Sequence, residues 1–303
     1  MMMEKKQTEW RSSLDRKIPI VFIAPAMFFL LVLLIYPITS SIYFSFTNKS
    51  LIFPKTKLVG LRNYAKILSD SGFYRALLNS IVFTTFIVTS QFVVGLIAAL
   101  ALNRITKFKG FFRTLCIIPW TFPNIVMAFT WNWLLNDLYG PVNALLLRLG
   151  IIESPLLFLG KPGLAILTVV LVQTWFGFPF MMVNILAGLQ SINKSEYEAA
   201  SIDGASAIHS FLFITIPHLQ NLIALVLCLR VIWVFNNFDL IFLLTGGGPG
   251  SVTETLPLYA YRLGWNLNNL GQSATVAVLL FIFLMGIISV YFHLLNQKEN
   301  DAV

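Results

Sequence analysis

The stretch EAASIDGASAIHSFLFITIP, residues 198–217, begins as a polar island between two long apolar runs. Ser195 followed three residues later by Glu198 has the spacing of a capping box, in which two side chains satisfy backbone amides at a helix start. Gly204 then predicts the end of that helix, because glycine adopts the left-handed conformation at little cost. A second helix is predicted to follow and to run to Pro217, a residue typical of a helix start or a kink. The pattern indicates two short helices joined at a glycine.

Composition predicts an all-α, polytopic membrane protein. Apolar residues make up 57% of the chain and charged residues only 11%, whereas soluble domains carry about 25% charged residues. The net charge of +8 would suggest nucleic-acid binding in a soluble protein. Here the basic residues flank apolar segments, where they anchor a chain at the membrane surface, so no nucleic-acid partner is expected. Cys116 and Cys228 fall inside apolar segments, and we expect neither a disulfide nor a metal site.

Six membrane spans are predicted from apolar runs of about 20 residues, enough to cross a hydrocarbon core of about 30 Å. The first run follows a basic segment, but it is too long for a signal peptide and no small-residue cleavage site follows it. Pro119 and Pro123 interrupt the third run, as is tolerated where a cavity or neighbouring helices cover the freed backbone groups. The predicted spans are residues 18–36, 77–102, 112–135, 164–186, 219–240 and 274–295.

The positive charges predict the orientation of the chain. The predicted parts are a cytoplasmic segment 1–17, a transmembrane domain 18–295 containing a polar loop at about 191–217, here called the elbow, and a cytoplasmic tail 296–303. The basic N-terminal segment and the cluster at 104–113 favour the cytoplasmic side. The basic segment 47–75 argues against this arrangement, but short loops weigh more than a long one. Both termini and the elbow are therefore expected to face the cytoplasm.

Two stretches inside the later spans have residues that suit a transport path. Gly177, two residues before a proline, is expected to open the backbone ladder of the fourth span, which is typical of a helix that lines a cavity. The aromatic rings beside it could stack on a sugar or simply pack against other helices. Asn236 and Asn237 lie in the apolar fifth run, where their amides need partners on a substrate or on another helix.

The Glu-Ala-Ala and Asp-Gly-Ala elements, with an aromatic residue, an isoleucine and a proline after them, closely resemble the coupling motif of ABC-importer permeases. In that family the motif forms an L-shaped helix pair that sits in a groove of an ATP-hydrolysing subunit. Members often have a second proline four residues after the first, where this chain has Asn221. The resemblance implies that the residues coupled to the ATPase are Glu198, Ala199, Ala200, Asp203, Gly204, Ala205, Ile214 and Pro217.

Other segments resemble the sugar-permease branch of this family. Residues 244–259 begin with LTGGGPG and resemble its outer loop, which tends to lie near a docked binding protein. Residues 175–180 resemble its W-x-G-x-P-aromatic stretch, and residues 235–238 its F-N-N-F stretch. Asn237 is the best candidate for a hydrogen bond to a sugar hydroxyl. The resemblance implies a substrate path that includes Trp175, Phe176, Gly177, Phe180, Asn236 and Asn237.

Arg230 adds a charge to this predicted path. It lies eleven residues after Leu219, hence near the middle of the predicted fifth span. A charge there costs at least about 2.5 kcal/mol, so a compensating group is expected. Asp239 would lie on the opposite face of a continuous helix. Arg230 is therefore expected either to attract an anionic substrate group, such as a uronate or a phosphate, or to contact the partner permease.

We therefore predict the permease subunit of a binding-protein-dependent ABC importer for a sugar or oligosaccharide in the cytoplasmic membrane. The implied partners are a second homologous permease, two ATP-hydrolysing subunits, an external binding protein and the lipid bilayer. ATP and magnesium would be bound by the ATPase subunits, and no cofactor by this chain, which has no catalytic constellation. By composition alone, an ion-gradient-driven secondary transporter is the alternative; its usual intramembrane acid could here only be Asp239, near a span end.

Overall fold

The computed structural model describes the backbone of residues 22–300 and the side chains of residues 22–293. The predicted segment 1–17, the start of the predicted first span and residues 301–303 lie outside the described residues. The described backbone is almost entirely helical, and its strand-like pairing is a single isolated antiparallel bridge between Thr47 and Leu58. The all-α prediction is confirmed.

Twelve helices follow one another along the described chain. They are α1 Phe22–Ser45, α2 Arg62–Leu68, α3 Ser71–Arg104, α4 Lys109–Thr121, α5 Asn124–Leu134, α6 Pro141–Arg148, α7 Pro162–Ser191, α8 Lys194–Ile202, α9 Ala207–Phe235, α10 Asp239–Thr245, α11 Leu256–Tyr261 and α12 Leu270–Asn300. Wider π-helical turns occur inside α1 at Leu31–Ile35, inside α9 at Phe211–Thr215, and after α11 at Arg262–Asn266.

Five of the described helices are long and apolar enough to cross a membrane, and the pair α4 and α5 makes a sixth span if it is counted as one. The two helices of that pair meet at 92°. Phe122 is extended there and Pro123 precedes α5, because proline disfavours helical geometry in the residue before it. The interruption predicted at Pro123 is confirmed, whereas Pro119 lies inside α4 without ending it.

The fifth span differs from its prediction at both ends. α9 begins at Ala207 and ends at Phe235, whereas residues 219–240 were expected. The apolar residues before Pro217 continue the helix toward the N-terminus, so the elbow and the span share one helix. At the other end, residues 236–238 leave the helix and α10 begins at Asp239.

The described chain forms two compact parts, residues 22–69 with 262–279 and residues 70–261 with 280–300. In the first part, the Asn63 amide donates to the carbonyl oxygens of Ser45 and Thr47 at 2.9 and 2.8 Å. The Thr275 hydroxyl donates to the same Ser45 carbonyl at 3.2 Å. These bonds satisfy the end of α1 and hold the start of α12 against it. Within the same part, α2 is a separate short helix.

The core of the second part lies where α3 packs on α7, with α9 and α10 beside them. Ile87 of α3 and Val169 and Met181 of α7 are fully buried. Helix association inside a membrane depends on close packing, which small residues permit. Gly95 of α3 serves that purpose, since a Cβ there would lie 3.0 Å from the Met182 backbone nitrogen.

The glycine-rich loop after α10 is held more tightly than its composition suggests. α10 ends at Gly246, which has a left-handed φ of 59°, a common way to end a helix. The Asn79 amide of α3 donates to the carbonyl oxygens of Ser251 and Glu254, both at 3.0 Å. Thr253 is completely buried. These bonds attach the loop to the side of α3.

Candidate functional site

A cavity of about 480 Å³ opens where α9 ends. Its wall combines residues of α5, α7, α9 and α10 with the residues between α9 and α10. Four residues of the predicted substrate path line it: Phe176, Arg230, Asn236 and Asn237. The complete lining is Asn124, Gln173, Phe176, Arg230, Ile232, Trp233, Val234, Asn236, Asn237, Phe238 and Asp239.

The sequence had suggested that Asn236 and Asn237 lie deep inside the fifth span. In the structure both lie in the break after α9. The Asn236 amide donates back to the Ile232 carbonyl at 2.9 Å, which helps to end the helix. The Asn237 side-chain oxygen is buried without a hydrogen-bond partner. Asp239, which was expected to share a helix with Arg230, begins α10 and lines the same cavity.

Arg230 is 7% exposed and is bound within its own chain. Its Nε donates to Oε1 of Gln91 on α3 at 2.6 Å, and Nε2 of Gln91 donates to the Gln173 carbonyl of α7 at 2.6 Å. The guanidinium lies 5.8 Å from the ring centre of Phe180 and 5.9 Å from that of Trp233, within the range of cation–π attraction. Neither expected alternative included these partners.

Gln91 is the residue that the sequence analysis missed. It is completely buried in α3, and the available signal was a glutamine near the middle of the predicted second span. Through Gln91, α3, α7 and α9 are connected by polar bonds in the middle of the bundle. Among the described residues, no carboxylate forms an ion pair with Arg230, so its charge is offset by an amide and two rings.

Gly177 makes room for this cluster. A Cβ at Gly177 would overlap Nη2 of Arg230 and the side-chain amide of Gln91. α7 is continuous from Pro162 to Ser191, so the opening of the backbone ladder expected around Gly177 and Pro179 does not divide the helix. The glycine is required for close approach between helices, not for a bend.

The remaining predicted aromatic residues lie outside the cavity wall. Trp175 packs edge-on against Trp131 of α5, with ring centres 5.5 Å apart. The ring centre of Phe180 lies 5.0 Å from that of Trp233, so Phe180 packs against an aromatic ring of the cavity wall. Of the two, only Phe180 is connected to the cavity.

Two buried polar atoms of cavity-lining residues have no hydrogen-bond partner in the described structure. They are Nε2 of Gln173, a donor, and Oδ1 of Asn237, an acceptor. Buried polar groups are paired in most proteins, and an unpaired one calls for an explanation. One donor and one acceptor, on two residues that line the same cavity, are the two functions that a hydroxyl group combines.

The elbow is a second candidate site and has the predicted two-helix form. α8 ends at Ile202, and Gly204 follows with φ of 78°, so the left-handed turn is confirmed. The capping box is wrong: the cap is Asn193, whose side-chain oxygen accepts from the Ser195 amide at 3.2 Å.

The second elbow helix does not end at Pro217. The Ile216 amide donates to the Phe211 carbonyl, which closes the π-helical turn Phe211–Thr215, and α9 continues through Pro217. Proline removes one backbone donor and crowds the carbonyl four residues earlier. A widened turn just before Pro217 accommodates both effects, so the proline adjusts the helix without stopping it.

Most predicted coupling residues are open to the surroundings. Glu198, Ala199, Asp203, Gly204 and Pro217 are exposed, and Ala200, Ala205 and Ile214 are half-buried. The elbow also exposes Ile202 and Ile208, at 86% and 72%, which the sequence analysis did not select. The signal available in the sequence was the presence of two isoleucines within a polar island. The elbow thus presents an apolar surface beside acidic residues.

The family is decided by a sequence comparison. The profile of the family described as "Binding-protein-dependent transport system inner membrane component" matches residues 91–298, more than half of the chain. The chain belongs to this family. It is therefore the permease type of subunit, an inner-membrane component with a role in transport. Membership does not favour the secondary-transporter alternative.

Known proteins are similar in sequence to this permease along almost its whole length. It is 36% identical over 277 residues to the trehalose/maltose transport system permease protein MalF of Thermococcus litoralis, covering 91% of this chain and 93% of that protein. It is 34% identical to the inner membrane ABC transporter permease protein YcjO of Escherichia coli, covering 94% and 97%. A crystal structure of a bacterial ABC transporter that imports the acidic polysaccharide alginate contains a chain with TM-score 0.83 and 20% identity, covering 96% and 99%.

Proposed function

We propose that this permease is a subunit of an ATP-driven importer and that a saccharide passes through the cavity at the end of α9. The observation that carries the proposal is the pair of unpaired buried atoms, Gln173 Nε2 and Asn237 Oδ1. A sugar hydroxyl donates and accepts, so adjacent hydroxyls can satisfy both. The rings of Phe176, Trp233 and Phe238 in the wall suit the C–H faces of a sugar. The trehalose/maltose permease supports this substrate class.

The proposed assembly has a second homologous permease, two ATP-hydrolysing subunits and an external saccharide-binding protein. ATP and magnesium would be held by the ATPase subunits, and the elbow would dock on them through its exposed surface. Ile202 and Ile208 can enter an apolar groove, and Glu198 can meet a basic rim. In this proposal the transmembrane domain covers residues 18–295, and the elbow and both termini face the cytoplasm.

The charge of Arg230 extends the proposal to an anionic saccharide. Arg230 lines the cavity, and its one hydrogen bond within the described residues is donated by Nε. The remaining guanidinium donors could bind a carboxylate or a phosphate in two-pronged fashion. A protein of the same fold imports an acidic polysaccharide, so such a cargo is compatible with this architecture.

The test is uptake into liposomes containing this permease with its co-purifying subunits. We expect accumulation of a labelled saccharide that requires internal ATP and the binding protein, and that stops when the ATPase subunits are inactivated. A matched set of liposomes with a proton or sodium gradient and no ATP should accumulate nothing. Gradient-driven accumulation without ATP would overturn the proposal in favour of a secondary transporter.

A further inference from the structure

Two side-chain bonds connect the first elbow helix to the fifth span. The Tyr197 hydroxyl of α8 lies 2.8 Å from the Thr215 hydroxyl of α9. One residue earlier on α8, Oε2 of Glu196 lies 3.2 Å from Nε2 of His218. Thr215 and His218 are three residues apart and therefore share one face of α9. We call these four residues the brace.

Residues on both helices of the brace are held by further contacts. Thr215 is buried, at 4% exposure, and Tyr197 packs partly against the core. Nδ1 of His218 faces the Ile214 carbonyl oxygen at 2.8 Å while Nε2 faces the carboxylate, so a protonated ring can donate at both contacts. The Glu196–His218 pair is more than 40% exposed and is therefore the weaker bond, because water screens it.

The brace spans the two irregular points of the elbow backbone. Gly204 has a left-handed φ of 78°, and the π-helical turn Phe211–Thr215 lacks regular α-helical bonding. Gly204 lies between α8 and both of its partners, whereas the π-helical turn ends at Thr215 itself and precedes His218. Without the brace, a push on α8 would bend the chain at these points. With it, α8 is attached directly to α9 at and beyond the π-helical turn.

The far end of α9 carries the cavity wall. Arg230 lies fifteen residues beyond Thr215, about 22 Å along the helix axis. Because α9 is continuous over this distance, a displacement applied at Thr215 reaches Arg230 and Trp233. The brace thus connects α8 by side-chain bonds to the helix that carries the cavity wall.

We propose that the brace makes α8 and α9 one rigid lever, and that Tyr197 and Thr215 are positioning residues that set how much substrate is imported per ATP hydrolysed. The inference rests on the proposed function. If the brace is intact, movement of the docked elbow moves the cavity wall. If it is broken, the ATPase subunits still bind and close, but part of the movement is absorbed by bending at Gly204 and at the π-helical turn.

The test uses the complete transporter in liposomes and compares Tyr197→Phe, Thr215→Val and the double variant. Each single change removes one hydroxyl and keeps the side-chain shape. We expect substrate imported per ATP to fall about three- to tenfold, with ATP hydrolysis and subunit assembly retained. The Thr215 hydroxyl also donates to the Ser210 carbonyl at 3.4 Å, so the double variant should lose no more than Thr215→Val alone. Tyr139→Phe, an exposed tyrosine outside the elbow, is the matched control and should keep the wild-type ratio.

Any one of three results would overturn the proposed role of the brace. They are an unchanged ratio in both single variants, additive losses in the double variant, or an equal fall of transport and ATP hydrolysis, which would indicate lost assembly. Failure of the proposed function is distinguishable, because the wild-type complex itself would then show no ATP-dependent uptake.

Discussion

The guanidinium of Arg230 illustrates how single residues define the cavity. Its buried charge is met by an amide from α3 and by two aromatic rings, and the same side chain lines the cavity. Hydrogen bonds to charged groups contribute about 1.5–3 kcal/mol, enough to select between neutral and acidic cargo. The substrate's charge can therefore be tested at this one side chain.

Arg230→Gln removes the charge and keeps a polar side chain. For an anionic substrate, we expect uptake of the acidic saccharide to fall at least about tenfold, since a charge-assisted bond is lost, while uptake of its neutral analogue falls less. Arg230→Lys, which keeps the charge, should preserve the preference. The measurement is competition between paired acidic and neutral saccharides; equal losses for both would rule out charge selection.

Asn237→Leu removes the unpaired acceptor from the cavity and keeps a similar volume. We expect KM for uptake to rise about fivefold, the value of one ordinary hydrogen bond, with basal ATP hydrolysis unchanged. Asn184→Leu is the control, because that amide bonds the Phe180 carbonyl of its own helix at 2.8 Å. If the two variants have the same KM, Asn237 does not bind the substrate.

Gly177→Ala tests the close approach of three helices. The added methyl group would overlap Arg230 and Gln91, and overpacking of this kind costs about 1–3 kcal/mol. We expect a lower midpoint of thermal unfolding in detergent. Gly286→Ala, in a helix with open space around it, should leave the midpoint unchanged or raise it. Equal midpoints for the two variants would contradict the packing described here.

At the scale of elements, the elbow depends on one backbone angle. The turn between α8 and α9 contains Gly204 with φ of 78°, a conformation that proline cannot adopt because its ring holds φ near −65°. The angle between the two helices, and with it the surface presented to a partner, is set by this turn.

Gly204→Pro should therefore abolish uptake while the ATPase subunits retain their own hydrolysis. Gly204→Asn is the matched variant, since asparagine tolerates the left-handed region, and it should retain most of the uptake. Both rates are measured on the same liposomes. Normal uptake by Gly204→Pro would show that the elbow angle has no part in coupling.

At the scale of the whole molecule, the proposed orientation depends on whether the number of spans is even. Six spans result when the bent pair α4 and α5 counts as one. With six spans, the positive charges favour the proposed placement of the elbow in the cytoplasm. The proposed orientation therefore depends on span count and charge together.

Cysteine labelling tests this orientation in a chain whose Cys116 and Cys228 are replaced by alanine. Ser201→Cys, in the exposed part of the elbow, should react with a membrane-impermeant maleimide only after the membrane is opened. Lys55→Cys, exposed between α1 and α2, should react in intact spheroplasts. The reverse pattern would turn the elbow outward and contradict docking to a cytoplasmic ATPase.

Several features could be predicted from the sequence because their causes are local. Apolar runs longer than the membrane thickness predict the spans, Pro123 predicts the break between α4 and α5, and Gly204 predicts the hinge. The errors were also local in origin. Asn193 caps α8 in place of Ser195, and Pro217 is absorbed by a π-helical turn, because competing caps and helix widening depend on small differences in backbone geometry.

By itself, the sequence determined the membrane class, the family and the elbow, and it predicted six spans where the described residues give five, or six with the bent pair counted as one. Only the tertiary structure decided which side chains meet: Gln91 and Arg230 are 139 residues apart, and Tyr197 and Thr215 are separated by a turn and a widened helix. The physical reason is the distance along the chain over which each kind of interaction acts. Hydropathy, caps and glycine turns act over a few residues, whereas the cavity wall and the brace arise from packing between helices, which no local pattern encodes.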